Sequence, residues 1–424
     1  MKIRTLVAIT ALVAGVAGYR TAKAEDITLQ MVVWNYSIDT IQANLKDFEA
    51  ANPGIKVQLT DFPWTEYENA MVLRFRNKTP TDVIYGGQDW LPAWAAAGFL
   101  APLDDAAPDK VAELKKDLAK FALSDVTYKG KVYGLPYYAD TISLLYNKKI
   151  LADASIPVPQ TWEDMTAAAE KLKAKGMEFP IAYEYNAELP NFYDQFIAGV
   201  YSRGGEMFNT DLNPLFANPD SAAFKQLQWI ADTYKKGVVY NDPNLSNIVK
   251  AMGSGKYAFV VCYNYILAAL NNTADQPLAG QFALAPMPGS THNTFGFAKF
   301  YAMTSAAAAD PARREASWKL IEFMAGKPYT VAKKWALEKG LGFGQLPLLD
   351  DPDVISAWGK WVDIPTLKNQ IQSARVGTWT EWTAVWAAKF RPLLASAMVG
   401  DTSVKDAMTE GADQWNALKQ KMQK

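Results

Sequence analysis

The sequence predicts an α/β protein built as two lobes, and three observations carry that expectation. The chain has 424 residues, more than the roughly 250 to 300 beyond which single cores usually stop growing. Half of its residues are apolar, enough to fill two cores. Strand-like and helix-like patterns also alternate twice along it, which is the pattern of mainly parallel sheets covered by helices.

The first stretch stands outside that pattern. MKIRTLVAITALVAGVAGYRTAKA has a basic start at Lys2 and Arg4, an apolar run from Leu6 to Gly18 and an Ala22-Lys23-Ala24 end. These features read as a secretory signal peptide over 1–24, with cleavage after Ala24 and export to the periplasm. The apolar run is too short to span a bilayer, and no later stretch approaches about 18 consecutive apolar residues. The cleavage site has no cysteine that could take a lipid.

After the leader, Ile27 to Trp34 reads as a buried strand. Ile38, Ile41, Leu45 and Phe48 then recur at helical spacing until Asn52-Pro53-Gly54 stops them. Ile55 to Phe62 is a second strand and Trp64 to Asn77 a second helix. Asp82 to Tyr85 is a third strand opening into Gly86-Gly87, followed by a helix over Trp90 to Gly98. This βαβαβ order predicts a right-handed parallel sheet. Tyr128 to Tyr133 reads as a hairpin about a Lys-Gly turn, and Thr141 to Tyr146 as another apolar strand. The second alternation comprises helix Thr161 to Ala174, strand Phe179 to Tyr185, helix Phe224 to Lys236 and strand Ala258 to Tyr263.

Composition removes several function classes. The leader holds Lys2, Arg4, Arg20, Lys23 and no acid, so the mature chain carries 39 basic against 44 acidic residues, a net charge of −5. That balance argues against a nucleic-acid partner. Cys262 is the only cysteine and His292 the only histidine. No intrachain disulfide can form, and zinc or Ser-His-Asp chemistry would hang on one loop residue. No cofactor or metal is expected.

In open α/β sheets ligands bind beyond the carboxyl ends of the strands. Those positions hold Trp34-Asn35-Tyr36, Phe62-Pro63-Trp64, Gly87-Gln88-Asp89-Trp90 and Tyr263-Asn264-Tyr265. Aromatics beside amides and carboxylates suit a sugar, whose C–H faces stack on rings while its hydroxyls need donors and acceptors. Buried Trp and Tyr with one satisfied polar tip would produce the same composition.

FEAANPGIKVQ (48–58), TDVIYGGQDWLPAWAAAGFLAPLDD (81–105), YGLPYYADTISLLYNKKIL (133–151), PQTWEDM (159–165), GKYAFVV (255–261) and VGDTSVKDAM (399–408) together resemble the solute-binding proteins of ABC importers, in the maltose-binding-like carbohydrate group. The resemblance covers essentially the whole mature chain. It implies a type II periplasmic-binding-protein fold: two hinge-linked lobes with a ligand cleft between them. By that likeness the N-terminal lobe comprises 25–140 plus about 284–328, and the C-terminal lobe 141–283 plus about 329–424. The chain would cross between them near Asp140 to Leu144, Phe282 to Pro286 and Gly326 to Lys333. The resemblance also assigns ligand-binding roles to Asp89 and Asp140, each accepting sugar hydroxyls, although Asp89 also suits a helix N-cap. The sequence departs from the family pattern at Gly86, which replaces an aromatic, at Tyr265, where a tryptophan is expected, and after Pro347, where a basic residue is missing. The sugar is therefore unidentified.

GTWTEWTAVW (377–386) places tryptophans at 379, 382 and 386. Thr378 to Glu381 fits a capping box, which predicts a helix from Trp379 whose apolar line continues through Phe390 and Leu393, with Pro392 kinking it. In the resembled family the start of this helix contributes a stacking aromatic, so Trp379 and Trp382 are assigned to the ligand and Trp386 to the core. The candidate ligand residues are thus Asn35, Tyr36, Trp64, Gln88, Asp89, Asp140, Asn264, Tyr265, Trp379 and Trp382.

The reading is a monomeric periplasmic protein that captures a sugar or oligosaccharide and delivers it to permease subunits in the inner membrane, without catalysis. Two alternatives stay open. A binder of an anionic solute such as a phosphorylated polyol would place Arg203 or Arg375 at the anion. A secreted glycoside hydrolase would need two carboxylates flanking the scissile bond.

Overall fold

The computed structural model describes residues 26–187, 189–242, 245–272 and 276–422, so the expected leader lies outside the described residues. Thirteen strands are found among them: β1 (Ile27–Trp34), β2 (Ile55–Phe62), β3 (Val83–Gly87), β4 (Leu100–Ala101), β5 (Thr127–Tyr128), β6 (Lys131–Val132), β7 (Gly134–Asn147), β8 (Ile181–Glu184), β9 (Val239–Asp242), β10 (Phe259–Tyr263), β11 (Phe282–Ala285), β12 (Thr294–Thr304) and β13 (Ala374–Arg375). β1 pairs in parallel with β2 and β3, as the opening alternation predicts. In the second half β8 is parallel to β9 and β10.

The two halves meet on one strand. From Gly134 to Thr141, β7 runs antiparallel to β12; from Ile142 to Asn147 it pairs with β10 and β11. The expected strand Thr141 to Tyr146 is therefore only the distal half of a longer one. Gly134 and Pro136 hide its proximal half from a propensity reading, and Pro136 is tolerated because it lies beside an irregularity. Register passes from Lys299 opposite Tyr138 to Phe300 opposite Pro136, leaving Tyr137 as the extra residue of a bulge. β12, for which the sequence reading has no counterpart, slots between β3 and β7 and completes the N-terminal sheet. Its Phe300 ring fills the space over Gly86 and Gly134, where a Cβ would approach within 2.2 and 2.1 Å of the ring. Glycine at 86 is thus a requirement of this packing.

Two helix starts differ from expectation. The helix after β3 spans Leu91–Ala96 with Trp90 at its N-cap position, and Asp89 makes no capping bond. The helix after the tryptophan stripe spans Thr383–Val399 and runs through Pro392, with Trp382 at its N-cap position. The Thr378–Glu381 capping box does not form. The Thr380 N–H instead donates to Thr383 Oγ1 at 2.8 Å, and Glu381 accepts from the Tyr128 hydroxyl of the β5–β6 hairpin. A partner distant in sequence has taken the side chain that the local box required.

The segment after the helix Pro311–Ala325 leans on both halves. Trp335, in the helix Thr330–Lys339, lies 6.2 Å from Tyr36 and 6.3 Å from Tyr137, whereas Gly340 abuts Ala268 of the helix Tyr265–Asn272. No helix among the described residues is long and apolar enough to cross a membrane.

Candidate functional site

A cleft of about 530 Å³ opens between the halves, where the strand ends converge. Its N-terminal wall begins with Trp34, the last residue of β1. The ring of Trp34 meets Trp64 at 4.9 Å and Tyr67 at 5.3 Å, both edge-on, and Tyr85 at 4.6 Å. Asn35 and Tyr36 follow, and the Asn35 N–H donates to the Phe62 carbonyl at 2.9 Å, so the ends of β1 and β2 are locked together. Trp64 opens the helix Trp64–Arg76 directly after β2. β7 and β12 form the floor with Tyr137, Tyr138, Phe297 and Lys299. In a regular strand Tyr137 and Tyr138 would point to opposite faces; the bulge lets both face the cleft.

The opposite wall comes from strand ends of the second half. Glu184 closes β8, and Asn191 and Asp194 lie in the first turn of the helix Asn191–Ser202. The Asn191 amide donates to Glu184 Oε2 at 2.5 Å. The Tyr263 hydroxyl lies 2.9 Å from Asp194 Oδ2 and 2.8 Å from Asn191 Oδ1. Tyr265 stacks on Tyr263 at 6.0 Å and meets Tyr138 edge-on at 6.1 Å. Aromatic faces thus alternate with oriented carboxylates and amides across the cleft.

Burial raises Asp194 and two acids outside the lining, Asp140 of β7 and Glu68 of the helix Trp64–Arg76. Asp194 is pushed up to about 7, chiefly by desolvation, against which the Tyr263 hydroxyl and Lys299 act. Asp140 is raised to about 7 by burial despite the N–H groups it accepts, and Glu68 to about 7 by burial and the nearby Asp89. An acid whose folded-state value lies above its unfolded value holds its proton more tightly when folded. Stability therefore falls as pH rises from about 4 to about 7 and levels off above that. The melting temperature of the empty protein should decline across this window, and Asp194→Asn should flatten the decline. Equal slopes in the two proteins would refute the assignment to Asp194.

The structure distributes the expected ligand residues unequally. Asn35, Tyr36, Trp64 and Tyr265 line the cleft. Gln88 and Asp89 are not lining residues but touch Lys299, which is: Lys299 Nζ donates to Gln88 Oε1 at 3.0 Å and stands 3.7 Å from Asp89 Oδ1. Asp140 lies outside the cleft lining, with its carboxylate engaged by protein donors: the Thr141 N–H at 2.8 Å, the Tyr265 N–H at 3.1 Å and the Tyr138 hydroxyl at 3.2 Å. It joins β7 to the start of the helix Tyr265–Asn272. Asn264 is buried beside it and donates to Thr141 Oγ1 at 2.7 Å.

The tryptophan stripe also lies outside the lining. Trp379 donates through Nε1 to the buried Asp125 at 3.0 Å and packs edge-on against Phe295. Trp382 is buried 5.5 Å from Trp415. Placing the helix start at Thr383 changes which way these rings face, and long-range partners claim both. His292 bonds through Nδ1 to the Met287 carbonyl at 2.8 Å.

The sequence reading missed Lys299, Phe297, Glu184, Asn191 and Asp194. For Lys299 a signal was present: in TFGFAKFYAMT one charge interrupts a run otherwise suited to burial, and a buried lysine calls for a partner.

With this geometry in place, the chain can be set beside known proteins. The family model described as bacterial extracellular solute-binding protein matches residues 43–366. A putative binding protein of Brucella abortus is 24% identical over 413 residues, covering 93% of this chain and 95% of the relative. Maltose-bound MalE3 of T. maritima superposes with a TM-score of 0.80 at 20% identity, over 92% of this chain and 100% of that one. An ABC-transporter solute-binding protein of Agrobacterium radiobacter, in complex with ribitol, superposes with a TM-score of 0.77 at 17% identity, over 93% and 99%. These likenesses establish the two-lobed fold, and the family match over more than half of the chain establishes that this protein belongs to the bacterial extracellular solute-binding proteins.

Proposed function

We propose that this protein captures a neutral sugar or polyol between its lobes and delivers it to an ABC permease of the inner membrane. It acts in the periplasm, as a monomer freed from residues 1–24. The observation that carries this reading is the cleft: stacking surfaces from Trp64, Tyr36 and Tyr265 lie beside the polar row Glu184, Asn191 and Asp194. Such a lining offers rings to C–H faces and fixed acceptors to hydroxyls. The solutes named for the superposed proteins, maltose and ribitol, belong to that class. Lobe closure about β7 buries the solute, with the lobes at 25–140 plus about 284–328 and 141–283 plus about 329–424.

The alternatives lose their supporting residues. Arg203 is bonded to Gln226 at 2.8 Å and paired with Glu163, while Arg375 is paired with Glu206, and none of these lines the cleft. Asp194 and Glu184 share one wall and are bonded into it through Tyr263 and Asn191. That arrangement suits holding hydroxyls better than protonating a leaving group and activating water on opposite faces of a sugar.

Tryptophan fluorescence titration with maltose, glucose, ribitol and mannitol tests the reading. At least one should give a saturable change, accompanied by a smaller radius of gyration in solution scattering. Trp64→Ala should weaken that binding about tenfold, the equivalent of one lost aromatic stacking contact. If no sugar or polyol binds, the proposal is wrong.

A further inference from the structure

Residues 374–382 are held from both halves of the molecule. On the C-terminal side, the Tyr201 hydroxyl donates to the Val376 carbonyl at 2.6 Å, and the Arg375 guanidinium lies 4.6 Å from the centre of the Tyr201 ring and pairs with Glu206. Trp382 packs on Trp415, and the helix Thr383–Val399 that follows is fixed by Trp386 among Phe208, Phe216 and Trp415. On the N-terminal side, Trp379 Nε1 donates at 3.0 Å to Oδ1 of the buried Asp125, the last residue of the helix Lys120–Asp125. Asp125 Oδ2 accepts from the Ala298 N–H at 2.9 Å, so this anchor is fixed to β12. Two residues on, Glu381 accepts from the Tyr128 hydroxyl of the β5–β6 hairpin, and Lys129 Nζ stands 3.6 Å from its carboxylate. Gly377 makes the reach of Trp379 possible: a Cβ there would lie 2.5 Å from Trp379 Cζ2, so only glycine lets the indole fold back over its own segment.

Strand alternation fixes the face on which this link lies. Phe295, Phe297 and Lys299 are alternate residues of β12 and share one face. Phe297 and Lys299 form the floor of the cleft, and Phe295 stacks on Phe297 at 6.0 Å. Trp379 meets Phe295 edge-on at 6.1 Å. The segment therefore joins the halves on the face where the cleft opens, while residues 374–382 themselves lie outside the cleft lining. A link on that face is stretched when the halves swing apart about β7 and relaxed when they come together.

We propose that residues 374–382 form a tether that limits how far the lobes open, with Trp379–Asp125 and Glu381–Tyr128 as the bonds that must break for wider opening. The proposal rests on the reading above that the lobes close on a solute, and it goes further by naming a part of the chain that sets the resting angle without touching the solute. Two side-chain bonds in place of a covalent crossing make that angle adjustable. While they hold, widely open forms are depleted, and the solute has less of the conformational equilibrium left to shift. Affinity then depends on residues outside the cleft, by the same factor for every solute, because the solute contacts in the closed form are unchanged.

The test reads the distance between the lobes. Asp47→Cys and Ala174→Cys, both at exposed positions and one in each half, carry nitroxide labels, while the native Cys262 is buried. Double electron–electron resonance is recorded on the empty parent and on Tyr128→Phe, Trp379→Phe and the two combined, which delete the hydroxyl and the indole N–H but keep an aromatic ring. Thermal melts confirm that each variant is folded; should Trp379→Phe fail to fold, Tyr128→Phe and Glu381→Ala decide. Each single variant should move the empty-state distribution to longer distances, and the double variant further. In titrations with maltose, glucose, ribitol and mannitol, any solute that binds the parent should bind each single variant about three- to tenfold more weakly, the equivalent of one hydrogen bond. The ratio between solutes should stay constant, and the label distance at saturation should equal that of the parent. Empty-state distances that stay at the parental value or move inward overturn the tether, whether or not a solute binds. A changed ranking of solutes overturns it as well, by showing that Trp379 acts on the solute directly. If none of the four solutes binds, the sugar or polyol reading fails while the empty-state distances still decide the tether.

Discussion

Replacing Trp386 by alanine should cost about 3 to 5 kcal/mol of stability. The side chain is fully buried, and its ring stacks on Phe390 with centres 4.6 Å apart and planes 17° apart. Trp415 meets it edge-on at 5.1 Å, and Phe208 and Phe216 close its remaining sides at 5.6 and 5.7 Å. Nε1 donates to the Gly411 carbonyl at 2.8 Å, tying the helix Thr383–Val399 to the helix Val404–Met422. Alanine leaves a void among these rings, and the surrounding helices can close it only in part because Gly411 already lies against Phe390. Urea unfolding of the empty protein measures the effect. Trp386→Phe keeps most of the packing and loses the hydrogen bond, so it should cost about 1 to 2 kcal/mol. A loss below about 1 kcal/mol for alanine would mean that the site collapses without a cavity.

The second large effect is expected at Arg313. Its guanidinium grips Asp82 through both Nε, at 2.8 Å, and Nη2, and it also donates to the Thr28 carbonyl at 3.1 Å. Asp82 is buried and accepts in addition from the Gln30 N–H at 2.6 Å, so this one pair pins the helix Pro311–Ala325 to β1 and to the start of β3. Arg313→Ala leaves a buried carboxylate without its cation and should cost about 3 kcal/mol. That is the low end for breaking a buried pair, because Arg313 itself is a third exposed. Asp82→Asn combined with Arg313→Ala should recover part of the loss. A double variant no more stable than Arg313→Ala would show that the buried charge is not the source of the cost.

Arg313 and Asp82 are 231 residues apart, and such separation divides what could be read from sequence from what could not. β1 and β2 begin and end where alternation and turn residues place them, at Ile27–Trp34 and Ile55–Phe62. The hairpin at 127–132 and the helix Trp162–Ala174, with its Thr161 capping box, are equally local and equally legible. Ligand candidates taken from the ends of those strands, Asn35, Tyr36, Trp64 and Tyr265, line the cleft for the same reason: the carboxyl end of a strand follows directly from where the strand runs.

The floor of the cleft was not legible. Lys299 meets Gln88 across 211 residues of chain, and no local pattern states that β12 enters between β3 and β7. The bulge that turns Tyr137 and Tyr138 to the same side is a property of the pairing between two strands, absent from either strand alone. The stripe at 379–386 shows the converse. Its spacing and its apparent capping box are helical, yet Tyr128 takes Glu381 and Asp125 takes Trp379, so the helix starts later and the first two rings face protein. The sequence by itself determined the opening strands and helices, the two α/β alternations and the family, because each is written in residues close together along the chain. Only the tertiary structure decided which side chains share the cleft, because a carboxylate or an indole bonds to whichever partner folding brings within about 3 Å, and those partners lie more than two hundred residues away.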